Sequence, residues 1–165
     1  MQEIKRLTGH FEIINDLQFS SNGQIVVSSS DDKIIGIWDI QSGERKSQFN
    51  GHSSGVMIAQ FSPDDQFIVS CSTDATIRIW NVISGQQVKK FDVHLGAILN
   101  VKFFPNGETL VSCDKAIRLW DVKTGAQIQV LKGPPGDATG VDISTNGHTI
   151  ASSFTDKTIR LWEPL

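Results

Sequence analysis

Short apolar runs, none longer than a handful of residues, recur along the chain between turn residues and polar segments. Four of them, "IVVS", "FIVS", "TLVS" and "TIAS", are almost continuously apolar and do not alternate, which predicts strands buried on both faces. Before them stand segments that mix β-branched, aromatic and polar residues, such as "INDLQFS" and "ILNVKFF". After them come "IIGIWDI", "TIRIWNV", "AIRLWDV" and "TIRLWEPL", and then more polar stretches, "ERKSQF", "QQVKKF" and "AQIQVL". Polarity thus rises toward the last strand of each group, as for an edge facing water. No 3.6-residue periodicity survives, because Asn-Gly, Ser-Gly or Pro interrupts every longer window.

The turns carry their own signals. Asn22-Gly23, Asn106-Gly107 and Asn146-Gly147, with Asp64-Asp65 in the second group, predict tight hairpins of type I′, since both residue types tolerate positive φ. Ser42-Gly43, Ser84-Gly85 and Thr124-Gly125 mark a second hairpin after each tryptophan segment. All four tryptophans share one phrase, at 38, 80, 120 and 162, with gaps of 42, 40 and 42 residues. A period of that size means a repeat architecture. Four strands per repeat, graded from apolar to polar, make a blade, and blades arranged radially bury both faces of each sheet. The expectation is an all-β propeller of four-stranded antiparallel blades in one domain over 1–165, with repeats at 1–42, 43–84, 85–124 and 125–165. "EIKRLTG" aligns with the outermost strands, and two chains are expected to join head to tail into an eight-bladed ring, the alternative being a piece of a larger single-chain propeller.

Composition narrows the partners. The 165 residues carry a net charge of −3, and the basic residues are scattered, which argues against nucleic acid or an anionic membrane as the main partner. No run is long enough to span a bilayer and no secretory h-region opens the chain. Cys71 and Cys113 follow serine at the same place in adjacent repeats and read as small core hydrophobes rather than a disulfide or metal pair. A cytoplasmic location is expected, with the nucleus as the alternative.

The motifs resemble those of WD-repeat β-propellers. The first unit reads Gly9-His10, "FSSNG", Ser30-Asp31-Asp32 and Trp38-Asp39, and the second Gly51-His52, "FSPDD" and "STDATIRIWN". The third reads Val93-His94, "FFPNG" and "CDKAIRLWD", and the fourth "FTDKTIRLWE". The resemblance covers essentially the whole chain, four times in register.

His10, Ser28, Asp32 and Trp38 recur as His52, Ser70, Asp74 and Trp80, with His, Ser and Asp 28, 10 and 6 residues before Trp. His, Ser and Asp together invite a hydrolase reading. Recurrence in repeat after repeat, without a "GxSxG" elbow, opposes it. The resemblance implies instead a structural hydrogen-bond chain inside each blade. The third unit keeps His94, Ser112, Asp114 and Trp120 but has lost two residues between Ser112 and Asp114. The fourth keeps Ser152, Asp156 and Trp162, with Pro134 where His should stand; His148, after an Asn-Gly turn, cannot replace it by register. Asp31-Asp32 and Asp64-Asp65 are solvated turn residues, and neither metal-ligand spacing nor a phosphate loop is visible, so no cofactor, metal or enzymatic activity is expected.

The resemblance places partner contacts three and five residues after each His and one before each Asp. These are Ile13, Asn15 and Asp31; Gly55, Met57 and Thr73; Ala97, Leu99 and Cys113; and Asp137, Thr139 and Thr155. Ile13, Met57 and Leu99 would form an apolar docking cluster if they share an exposed face. The function expected is a scaffold binding peptides or domains of other proteins on one face. The alternative is a regulatory or sensor propeller belonging to a larger signalling enzyme or ribonucleoprotein.

Overall fold

In the computed structural model of the protein, residues 2–92, 96–133 and 137–163 are described. They form fifteen strands and, among the described residues, no helix. The first sheet holds β1 (Ile14–Phe19), β2 (Ile25–Ser30), β3 (Ile34–Asp39) and β4 (Arg45–Asn50) in simple up-and-down order. The second holds β5 (Val56–Phe61), β6 (Phe67–Ser72), β7 (Ile77–Asn81) and β8 (Gln87–Phe91). In the third are β9 (Asn100–Phe103), β10 (Thr109–Cys113), β11 (Ile117–Asp121) and β12 (Gln127–Leu131). The fourth has three strands, β13 (Ala138–Ile143), β14 (Ile150–Phe154) and β15 (Ile159–Trp162). Every pairing is antiparallel, as hairpin connections of this length require.

Local chemistry sets the turns. Gly23 donates to the Ser20 carbonyl at 2.9 Å while the Asn22 carboxamide oxygen accepts from the Gln24 amide and the Ser20 hydroxyl. Gly23, Gly107 and Gly147 take positive φ (68°, 70° and 74°), but none of the three asparagines does. The hairpins are therefore not of type I′. The asparagine acts through its side chain, capping the turn, and only glycine supplies the left-handed residue. In the second blade Asp65 fills that place at φ 56° and its carboxylate accepts from the Ser21 amide (2.8 Å) and hydroxyl (2.5 Å) of the blade before.

Blades stack in chain order. Val27, Ile35, Ile37 and Phe49 of the first blade pack on Val56, Ala59, Phe61 and Trp80 of the second. Val69, Ile77, Ile79 and Phe91 meet Ile98, Val101, Phe103 and Trp120 in the same way. The third blade's Val111, Ile117 and Leu119 meet Ala138, Val141 and Ile143. An aromatic from β4 and one from β8 seat on the next blade's tryptophan: Phe49 stacks on Trp80 and Phe91 meets Trp120 edge-on, both with centroids 5.7 Å apart. Such interlocking explains why β2, β6 and β10 are apolar on both faces: one face serves each neighbour.

The N-terminal segment departs from the expected strand. Residues 2–10 pair with no sheet, and β15 has no fourth strand beside it among the described residues.

Candidate functional site

The first blade carries a continuous polar chain through its interior. Trp38 Nε1 donates to Ser28 Oγ at 2.7 Å, Ser28 Oγ lies 2.7 Å from His10 Nε2, and His10 Nδ1 lies 2.7 Å from Asp32 Oδ2. The Phe11 and Ile34 amides also donate to Asp32, at 3.1 and 3.0 Å. Indole nitrogen can only donate. The serine hydroxyl that accepts from it can then give its own proton to His Nε2, which leaves Nδ1–H to donate to the carboxylate. In that order each donor along the chain meets an acceptor.

The second blade repeats the arrangement with Trp80, Ser70, His52 and Asp74 at 2.9, 2.7 and 2.9 Å. Burial alone would raise the Asp74 carboxyl, but hydrogen bonds from Thr76, the Ser53 amide and His52 outweigh it and hold it down to about 2. Burial pushes His52 below the usual imidazole value, and Asp74 only partly offsets this. In the third blade Trp120 Nε1 donates to Ser112 Oγ at 2.8 Å, and Asp114 accepts from the Ala116 amide (2.9 Å) and Arg118 Nε (3.3 Å). His94 lies outside the described residues.

The fourth blade keeps Trp162 Nε1 to Ser152 Oγ at 2.7 Å. Asp156 accepts from the Thr158 amide and hydroxyl and from Arg160, whose guanidinium also lies 3.9 Å over the Phe154 ring. Arginine thus engages the aspartate in a unit whose sequence has no histidine at the network position. Pro134 lies outside the described residues, and His148 is exposed in the β13–β14 turn, its amide donating to Asn146. The role of Arg160 was legible in principle, since Arg78, Arg118 and Arg160 share one position, four residues after each aspartate.

All four serines of the set are sealed, with 0–2% of their surface exposed. Cys71 and Cys113 are free thiols in the core. Burial is the main cause that pushes Cys113 up to about 12, with the Asp114 charge adding to it; Cys71 is driven well above the usual range.

Four separate stretches of the chain, 1–39, 43–81, 85–121 and 125–163, match the model of the WD domain, G-beta repeat. The chain belongs to that family. Curated relatives match about one repeat each. A chromatin assembly factor 1 protein of Mus musculus, one of that factor's subunits, is 37% identical over 51 residues, 31% of this chain and 9% of that protein. Notchless protein homolog of Arabidopsis thaliana is 39% identical over 51 residues, 31% of this chain and 11% of that protein. Small ribosomal subunit protein RACK1 of Caenorhabditis elegans is 39% identical over 46 residues, 28% of this chain and 14% of that protein. The matched stretches thus span a small fraction of these relatives' length.

The WD blades present a loop rim at the end where each first strand begins and the second turns into the third. Backbone bonds tie the rim residues in pairs: Asp31 N to Ile13 O (2.9 Å), Thr73 N to Gly55 O (3.1 Å) and Thr155 N to Asp137 O (3.0 Å). Asn15 Nδ2 donates to Asp31 Oδ1 at 2.8 Å and to Val56 O at 2.9 Å, bridging the first blade to the second. Thr139 Oγ1 lies 2.8 Å from Ser153 Oγ. Ile13, Asp31, Thr73, Ala97, Asp137, Thr139 and Thr155 are exposed, whereas Asn15, Gly55, Met57 and Leu99 are half-buried. Met57 and Leu99 pack against the cores between blades, so Ile13, Met57 and Leu99 are not one exposed apolar cluster. Cys113 is not on the rim at all. The shortened hairpin moves the residue before Asp114 back onto β10, where it takes the buried place that Cys71 holds on β6.

Proposed function

We propose that this chain is a non-catalytic scaffold whose WD propeller blades bind peptides or domains of other proteins at the loop rim. The observation that carries it is the division of labour between interior and rim. In the first two blades the interior serines, histidines and aspartates are consumed by one another, and in all four the sealed serine hydroxyl cannot meet a substrate. Among the described residues the rim offers exposed apolar side chains, Ile13 and Phe11, beside Asp31, Thr73, Asp137, Thr139 and Thr155, with backbone bonds tying Ile13 to Asp31, Gly55 to Thr73 and Asp137 to Thr155. An apolar anchor ringed by hydrogen-bonding groups suits peptide capture. The net charge of −3 favours proteins over nucleic acid as partners.

Two relatives' names, a chromatin assembly factor subunit and a small ribosomal subunit protein, refer to multi-component assemblies. They support the same reading, and the second also keeps open the alternative of a sensor propeller in a ribonucleoprotein or a larger signalling enzyme. A pull-down from cell extract with Ile13→Glu/Asp31→Lys beside the wild type tests the proposal. Both positions are exposed and Asp31→Lys removes one hydrogen bond from Asn15, so melting should fall by no more than about 4 °C while captured proteins are lost. An unchanged set of captured proteins would overturn the rim as the contact surface. Loss of capture on RNase treatment would favour the ribonucleoprotein reading.

A further inference from the structure

The two terminal blades leave open the surfaces that every internal blade buries. Ile14, Leu17 and Phe19 on the first blade are 46%, 62% and 61% exposed. Their counterparts one, two and three repeats on, from Val56, Ala59 and Phe61 to Ala138, Val141 and Ile143, are all 8% exposed or less. On the fourth blade Ile159 and Leu161 are 78% and 71% exposed. Their counterparts on β3, β7 and β11, such as Ile35 and Ile37, are all 5% or less. In each internal junction the second kind of surface packs on the first. The open front of the first blade and the open back of the fourth are therefore the two halves of one more junction.

The N-terminal segment adds a second, independent sign. Lys5 Nζ donates to Ile40 O at 3.2 Å and Gln41 O at 2.6 Å. Two repeats on, Lys89 of β8 donates to Val122 O at 2.9 Å and to Lys123 O, reaching from one blade's outer strand to the next blade's hairpin. Leu7, at the position of Phe49 and Phe91, lines an apolar recess of about 340 Å³ with Leu17, Phe19 and Trp38. Residues 3–7 thus rest on the first blade as the outer strand of a preceding blade would, without that blade's inner strands. Among the described residues, the fourth blade has the inner three strands and no strand on the outer edge of β15.

We propose that a second copy of this chain fills both gaps. Its fourth blade seats on the first blade's open front, and β15 pairs with the N-terminal segment already lying there. The same contact made in reverse closes a two-fold, head-to-tail ring of eight blades, within the range propellers adopt. This interface lies between blades and does not depend on the rim.

Light scattering after size exclusion tests it on the whole chain. The expected mass is about 36 kDa, twice the 18.1 kDa of one chain. Leu17→Glu/Phe19→Glu and Ile159→Lys/Leu161→Lys should each run near 18 kDa with the β-sheet circular dichroism of the wild type. Mixed in equal amounts they should return to about 36 kDa, because one junction in the mixed pair is intact. A folded wild-type monomer would overturn the proposal, and so would aggregation, which points to blades from elsewhere. Face variants that stay at about 36 kDa would overturn it too.

Discussion

Ser28 and Ser70 each sit between an indole that can only donate and an imidazole, so removal of either strands two buried partners at once. Ser70→Ala leaves Trp80 Nε1–H and His52 Nε2 unpaired, and Asp74→Ala removes the acceptor of His52, Thr76 and the Ser53 amide. Each is expected to cost about 1–3 kcal/mol. In urea titrations this should appear as a lower midpoint at unchanged slope. The histidine links stability to pH. His52 is held below its unfolded value of 6.5, so between the two values the unfolded chain binds the extra proton. Its contribution is fully present above pH 6.5 and declines as pH falls below that. Asp74, at about 2 against an unfolded 3.8, contributes above pH 3.8 and loses that contribution as pH falls toward 2. Melting followed from about pH 8 to pH 5 should therefore decline, and His52→Gln should flatten that slope; equal slopes would remove His52 as its source. Cys71 and Cys113 are buried, with their thiols pushed upward, so neither should react with a thiol reagent until urea unfolds the chain.

At the scale of strands and turns, much was legible because the sequence states it four times. Apolar runs without alternation marked β2, β6 and β10, and tryptophan marked the third strand of each blade. Turn type was less legible: Asn-Gly permits positive φ at both residues, but a side-chain cap at asparagine competes with it and wins here. Cys113 was misplaced because counting back from Asp114 ignores that a two-residue deletion in a hairpin turns a loop position into a strand position. Met57 and Leu99 were misread for a related reason. A residue at the mouth of a blade faces solvent or its neighbour depending on how closely the blades approach, and the repeat pattern does not encode that distance. Because both pack between blades, Met57→Asp together with Leu99→Arg is expected to cost about 2–4 kcal/mol, unlike a change at the exposed Ile13. Stability retained within about 0.5 kcal/mol in chemical denaturation would return both residues to the exposed face.

Among the described residues the molecule is an array whose cores join consecutive blades, so its stability is approximately a sum over blades and junctions. The second and third blades are clamped on both sides, whereas the first and fourth each have one junction and one open face. Opening an end blade breaks one junction; opening a middle blade breaks two. Fraying should therefore begin at β13–β15, whose last strand has no outer partner among the described residues, before it reaches β6 or β10. Native-state hydrogen exchange can follow this strand by strand. In the dimer-breaking variant Leu17→Glu/Phe19→Glu, amides of β14 should exchange at least about tenfold faster than those of β6 and β10. Tenfold corresponds to about 1.4 kcal/mol of lost junction energy. In the wild type the difference should shrink as protein concentration rises, because association supplies the missing junction and the missing strand together. Uniform exchange across all four blades at every concentration would instead mean that the array opens only as one unit, and that its end faces do not set its stability.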